Sequence, residues 1–141
     1  MNKSITYFAE VFINKFTEIQ NKFYEKPEYI ADFVYSLSEE LRKLGLEMFK
    51  ETLEEMDQAF CKSSKRKRDW HIEKHDSKKL ITSLGTVDFS KTLFTHKESQ
   101  EMTYLLDKVL GLSPHQLLTE DAVERVYEEA VQTSYRRGGE A

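Results

Sequence analysis

A single cysteine, Cys61, stands in the 141 residues, so no disulfide can form within the chain. That scarcity fits a reducing cytoplasm, the expected location. No apolar run approaches the roughly 20 residues needed to cross a bilayer, and no membrane partner is expected. Met1-Asn2-Lys3-Ser4-Ile5 leads straight into a periodic segment, with neither the apolar block nor the cleavage site of a signal peptide. There is no Gly-rich phosphate loop, nucleophile elbow or kinase signature. Glu54, Glu55 and Asp57 lie on a helix already crowded with acid, where a solvated face explains them. The sequence therefore offers no catalytic residue and implies no cofactor.

What is present is a folding composition, 33% charged, 39% hydrophobic and 12% aromatic, enough for one domain or two small subdomains. The net charge of -4 conceals a segregation. Residues 1–61 carry 7 Lys/Arg against 12 Asp/Glu, residues 62–97 carry 10 against 4, and residues 98–141 carry 4 against 9. With a Debye length of about 8 Å in physiological salt, a polyanion meets the basic middle rather than the acidic whole.

Ile5, Phe8, Phe12, Phe16, Ile19 and Phe23 recur every three or four residues, the stripe of an amphipathic helix. Pro27 suits the first turn of a second helix, whose stripe runs Ile30, Phe33, Leu37, Leu41, Leu44 and Met48. The short connection predicts an antiparallel helical hairpin over 1–62. The Phe stripe also has the spacing of a seam with another subunit.

Over 63–106 the expectation is a basic linker followed by a small antiparallel three-stranded sheet. Leu80–Leu84 and Val87–Phe94 supply two strands, with Gly85 in the turn, and Met102–Leu105 a third after a turn at His96–Ser99. Over 107–141 the chain returns to helix. Ser113-Pro114-His115-Gln116 has capping-box spacing, Thr119 caps a further helix with the face Ala122, Val123, Val126, Tyr127, Ala130 and Val131, and Gly138-Gly139 reads as its stop. The fold class is α+β.

Lys65-Arg66-Lys67-Arg68, with Lys62, Lys74, Lys78, Lys79 and Lys91, forms the strongest local signal. Cations so grouped suit phosphate contact, because each neutralised phosphate releases condensed counterions; a solvated linker is the plainer reading. Trp70 beside them can stack or pack. His71 and His75 share four-residue spacing, but that converges ligands only on a helix, and no metal site is expected. His96 and His115 read as surface residues in turn and cap positions.

Thr82-Ser83-Leu84-Gly85-Thr86-Val87-Asp88-Phe89, then Leu105-Leu106-Asp107-Lys108-Val109-Leu110-Gly111-Leu112, then Ser134-Tyr135-Arg136-Arg137 form an ordered series. That series resembles the amino-terminal region of the Lre-type insertion-sequence transposases of Firmicutes, long classed as an uncharacterised protein family. It is similar, more distantly, to the mutator-type transposases. The resemblance implies a DNA-binding region that precedes an RNase H-like domain with a metal-dependent Asp-Asp-Glu centre. It implies DNA at the element ends as partner, and Arg136 and Arg137 as contacts beside the basic set. Members usually carry Arg where Lys91 stands, which weakens the case for a bidentate contact there. The recognition helix of the family's helix-turn-helix unit would follow Gly138-Gly139-Glu140-Ala141, so the expectation is a truncated copy or a fragment. The rival reading is a helical interaction module that pairs with itself, with another subunit or with full-length transposase as a regulator.

Overall fold

Rings of phenylalanine set the geometry of the first helices. The computed structural model describes residues 3–113 and 115–140, with side chains over 5–113 and 115–133. Two compact units emerge, Met1–Glu55 and Met56–Ala141.

In the first unit, α1 (Lys3–Glu25) is joined through a single 3-10 turn, Pro27–Tyr29, to α2 (Ile30–Lys62), whose end from Met56 onward belongs to the second unit. Pro27 occupies the start of the turn, where its missing N–H goes unneeded. The Phe33 ring lies 4.7 Å from that of Phe23 and 6.5 Å from that of Phe16. Phe16 and Phe23 of the stripe thus meet Phe33 of α2, with all three rings half-buried. Leu41, expected in this seam, is instead 50% exposed.

In the second unit, β1 (Trp70–Thr82), β2 (Gly85–His96) and β3 (Met102–Tyr104) form an antiparallel sheet in that order. The register runs from Trp70↔His96 to Thr82↔Gly85, with a bulge between Ile72 and Lys74. Thr82 Oγ1 closes the hairpin by accepting from the N–H groups of Leu84 and Gly85, and Gly85 takes a φ of 145°. Leu80, Val87, Phe89, Phe94 and Leu106 are the buried apolar centre. The short helix α4 (Leu105–Leu110) packs on β2 and ends at Gly111, whose φ of 69° is the left-handed cap conformation.

Three expectations are corrected. The basic linker is a helix, α3 (Ser64–Asp69), because Ser63 Oγ caps it by accepting the Arg66 N–H at 3.1 Å. The first strand begins at Trp70 rather than Leu80. Its inward positions include Asp76 and Lys78, so the two-residue period is written in charged residues. Finally, no helix begins at Ser113. Gln116 Oε1 does accept the Ser113 N–H at 3.2 Å, as in a capping box. The backbone from Leu117 to Thr119 is drawn to the edge of β1 instead, where Ile81 N–H donates to Leu117 O at 2.7 Å and Thr119 N–H to Ile81 O at 3.0 Å. Pro114 lies outside the described residues.

The last helix, α5 (Glu120–Glu140), starts after Thr119 as expected but runs through Gly138 and Gly139, since glycine weakens a helix by only about 1 kcal/mol without blocking it. Its anchor is polar. Asp121 accepts the Ser83 N–H at 2.8 Å and Arg125 donates to Ser83 O at 2.9 Å. The bonds from Ser83 and Thr119 hold the Asp121 carboxyl far below the usual carboxylate range. Of its expected apolar face only Ala122 is buried, while Val123, Val126, Tyr127 and Val131 are exposed.

Candidate nucleic-acid interface

The basic set divides sharply once folded. Arg66 turns back on α2, its Nε donating to Cys61 O at 2.8 Å with Nη2 on the same oxygen. The guanidinium thereby satisfies a carbonyl left open at the helix end. Arg68 forms a fork with its neighbour Asp69, which raises the pKa of the arginine and lowers that of the aspartate. Lys74 pairs with Asp76 at 3.5 Å, and Lys79 is exposed opposite Asp88 across the hairpin.

Lys78 and Lys91, expected on the surface, are interior, 8% and 4% exposed. Lys91 Nζ donates to Asp107 Oδ2 at 2.6 Å and lies 3.7 Å from the centre of the Tyr104 ring. Lys78 Nζ donates to Ser113 O at 3.0 Å and stands 3.9 Å from Asp107 Oδ1. That oxygen has no hydrogen-bond partner among the described residues. Burial pushes the Lys78 ammonium down, the nearby Asp107 charge opposing the effect. Tyr104 donates to Asp76, which lifts the phenol to about 12 and lowers the Asp76 carboxyl. This cluster ties α4, β3 and the strand edges together. The physical reason for the correction is plain: a lone buried carboxylate would be costly, and the two lysines compensate it.

On the other face of the sheet, Thr92 is a junction. Asp57 accepts from its backbone N–H at 2.9 Å and from its hydroxyl at 2.6 Å. With the hydroxyl proton so committed, His75 Nδ1, 2.9 Å away, acts as a donor to the oxygen, as does Cys61 Sγ at 3.5 Å. His71 pairs with Thr95 and His75 with Thr92, which alternation places on opposite faces of β2. Among the described residues no group of His, Cys, Asp and Glu is placed to hold a metal ion.

The cations left at the surface gather around α3. Lys62, Lys65 and Lys67 are exposed and form no ion pair among the described residues. Lys97 joins them from the turn after β2: its N–H donates to Asp69 O at 2.9 Å and its ammonium to Lys67 O at 2.6 Å. Sequence reasoning left Lys97 out of the basic set. The Trp70↔His96 register carries it to α3, and that register is invisible until β1 is known to start at Trp70. Trp70 itself packs edge-on against His96, ring centres 4.8 Å apart. The side chains of Arg136 and Arg137 lie outside the described residues.

No described helix is long and apolar enough to cross a membrane. Residues 27–141 match the model of an uncharacterised protein family, UPF0236. One UPF0236 protein of Caldanaerobacter subterraneus subsp. tengcongensis is 30% identical over 126 residues, covering 89% of this chain and 27% of its own length. A second from the same organism is 30% identical over 111 residues, 79% of this chain and 24% of its own length. A third is 29% identical over 126 residues, 89% of this chain and 27% of its own. The chain thus spans about a quarter of the length of the curated relatives it matches. No solved structure matches it. The match over most of its length makes this chain a member of the uncharacterised protein family UPF0236.

Proposed function

We propose that this chain is a DNA-engaging, non-catalytic region of an insertion-sequence transposase. The observation that carries the reading is the group of exposed, unpaired lysines around α3, Lys62, Lys65, Lys67 and Lys97, on a chain whose other two segments are acidic. Ammonium groups free of carboxylate partners are those available to replace counterions on a phosphate backbone. Two further facts support it. The relatives are much longer than the matched region, which leaves room in them for a catalytic domain. The name of one relative joins eleven designations within one organism, the pattern that a sequence copied around a genome leaves.

The test is a salt titration of binding to a DNA duplex. Replacing Lys62, Lys65, Lys67 and Lys97 with Ala flattens the slope of log K against log salt by about 0.9 for each phosphate no longer neutralised. Lys79→Ala, on the hairpin, serves as the charge control. An unchanged slope removes the α3 group as the DNA-binding surface. Purified chain is expected to leave element-end DNA uncut in Mg²⁺ or Mn²⁺, because a two-metal centre needs carboxylates converging on one scaffold. Metal-dependent nicking abolished by one carboxylate substitution overturns the non-catalytic assignment.

A further inference from the structure

The helical hairpin has two unlike flanks. Along one, Lys15, Glu18 and Lys22 of α1 share a groove with Glu39, Glu40 and Lys43 of α2. Ion pairs lace this flank, Lys15–Glu18 at 3.8 Å, Arg42–Glu39 at 2.9 Å and Lys43–Glu40 at 3.5 Å. At about 100° per residue, the opposite flank lies a quarter-turn beyond the Phe seam on each helix. It comprises Ile13, Thr17, Gln20 and Tyr24 of α1, and Ile30, Val34, Leu37, Ser38 and Leu41 of α2. None of these is charged. Ile13 is 58% exposed, Tyr24 65%, Ile30 59%, Val34 59% and Leu41 50%.

We propose that this uncharged flank is the interface with a second copy of the chain, two hairpins closing into a four-helix bundle about a twofold axis. Ile30, Val34, Leu37 and Leu41 follow the alternating spacing of four and three that meets its own copy in helical packing. The five exposed side chains together offer roughly 500 Å² of apolar surface, at the upper end of patches tolerated on monomers. With their half-buried neighbours they approach the roughly 800 Å² per partner of a stable interface. Charge selects the same occupant. Residues 1–61 carry an excess of acid, and a face free of carboxylates lets two copies meet without like-charge contact. The bundle also supplies what the hairpin lacks: its Phe seam is only half-buried, and among the described residues of Met1–Glu55 only Leu53 is buried. This interface is independent of the DNA-binding reading.

Sedimentation equilibrium of the whole chain tests it. The expected result is twice the monomer mass, with Leu41→Glu and Val34→Glu weakening the dimer more than about 100-fold, because each buries an unpaired carboxylate. Glu39→Lys on the laced flank leaves the dimer intact. A second measurement does not depend on disruptive variants: a short bismaleimide couples chains carrying Val34→Cys and fails to couple those carrying Lys22→Cys. A monomer at every concentration overturns the proposal. So does a dimer indifferent to Leu41→Glu, or one coupled equally well through Lys22→Cys.

Discussion

Lys91 and Asp107 meet at 2.6 Å with both side chains almost wholly enclosed, 5% and 4% exposed. A cation that the sequence offers to DNA is thereby spent on holding α4 to the central strand. Removing Asp107 leaves Lys91 and Lys78 buried without their carboxylate, and removing Lys91 leaves Asp107 with Lys78 at 3.9 Å; breaking a buried pair in this way typically costs about 3 to 5 kcal/mol. Lys91→Ala and Asp107→Ala are each expected to lose most of that in urea unfolding. Any folded Lys91→Met protein should bind DNA with an unchanged salt slope, since its lysine never reached the surface. A lowered slope would return Lys91 to the DNA-binding surface.

Arg66 and its two lysine neighbours divide one basic run. Its guanidinium is engaged by the Cys61 carbonyl, whereas Lys65 and Lys67 on either side are exposed. Arg66→Ala should cost about 1.5 to 3 kcal/mol, the range for a hydrogen bond to a charged group, and leave the DNA salt slope alone. Lys65→Ala should do the reverse. Chemical denaturation and salt titration of both variants check the pair, and equal effects on both measurements would contradict it.

Thr92 gives a third prediction. Asp57 is 2% exposed and receives both a backbone and a hydroxyl bond from this residue. Thr92→Val keeps the shape and strips the hydroxyl, so the buried carboxylate is left with one donor fewer, at a cost of about 1 to 3 kcal/mol. Thr86→Val, at an exposed position of the same strand, should be near neutral. Comparable melting temperatures for the two variants would show that the junction is dispensable.

Tyr104 makes stability depend on alkaline pH. Its phenol, ordinarily near 10, stands at about 12 because it donates to Asp76. A pKa raised on folding stabilises fully below the unfolded value and is lost as pH rises through the folded one. The contribution therefore disappears between pH 10 and about 12. The lowered Asp76 carboxyl works from the other side: its contribution holds above its ordinary 3.8 and fades as pH falls through the folded value. Spectroscopic titration should show one of the seven tyrosines ionising late, and Tyr104→Phe should abolish that late step. A late step that persists in the variant would assign it elsewhere.

Local chemistry determined a great deal by itself. The Phe-rich stripes, the break at Pro27, the alternation from Val87 to Phe89 and the acidic first turn of α5 each rest on neighbours within about four residues. The hairpin, the central strand and the helix starting at Glu120 were therefore legible in the sequence. The three-part charge segregation was legible as well. What only the tertiary structure decided is where each charge goes. Lys67 and Lys91 are the same residue type in the same basic segment, yet one faces water and the other faces Asp107, 16 positions along the chain. Distant pairings of this kind also hid β1, whose inward residues Asp76 and Lys78 break the apolar rhythm that marks a strand. They cancelled the helix expected at Ser113 as well, because the edge of β1 competes for the backbone there. The physical reason is common to all three: a charge or a backbone amide is bound by whatever partner the fold brings within about 3 Å, and periodicity along the chain carries no record of that partner.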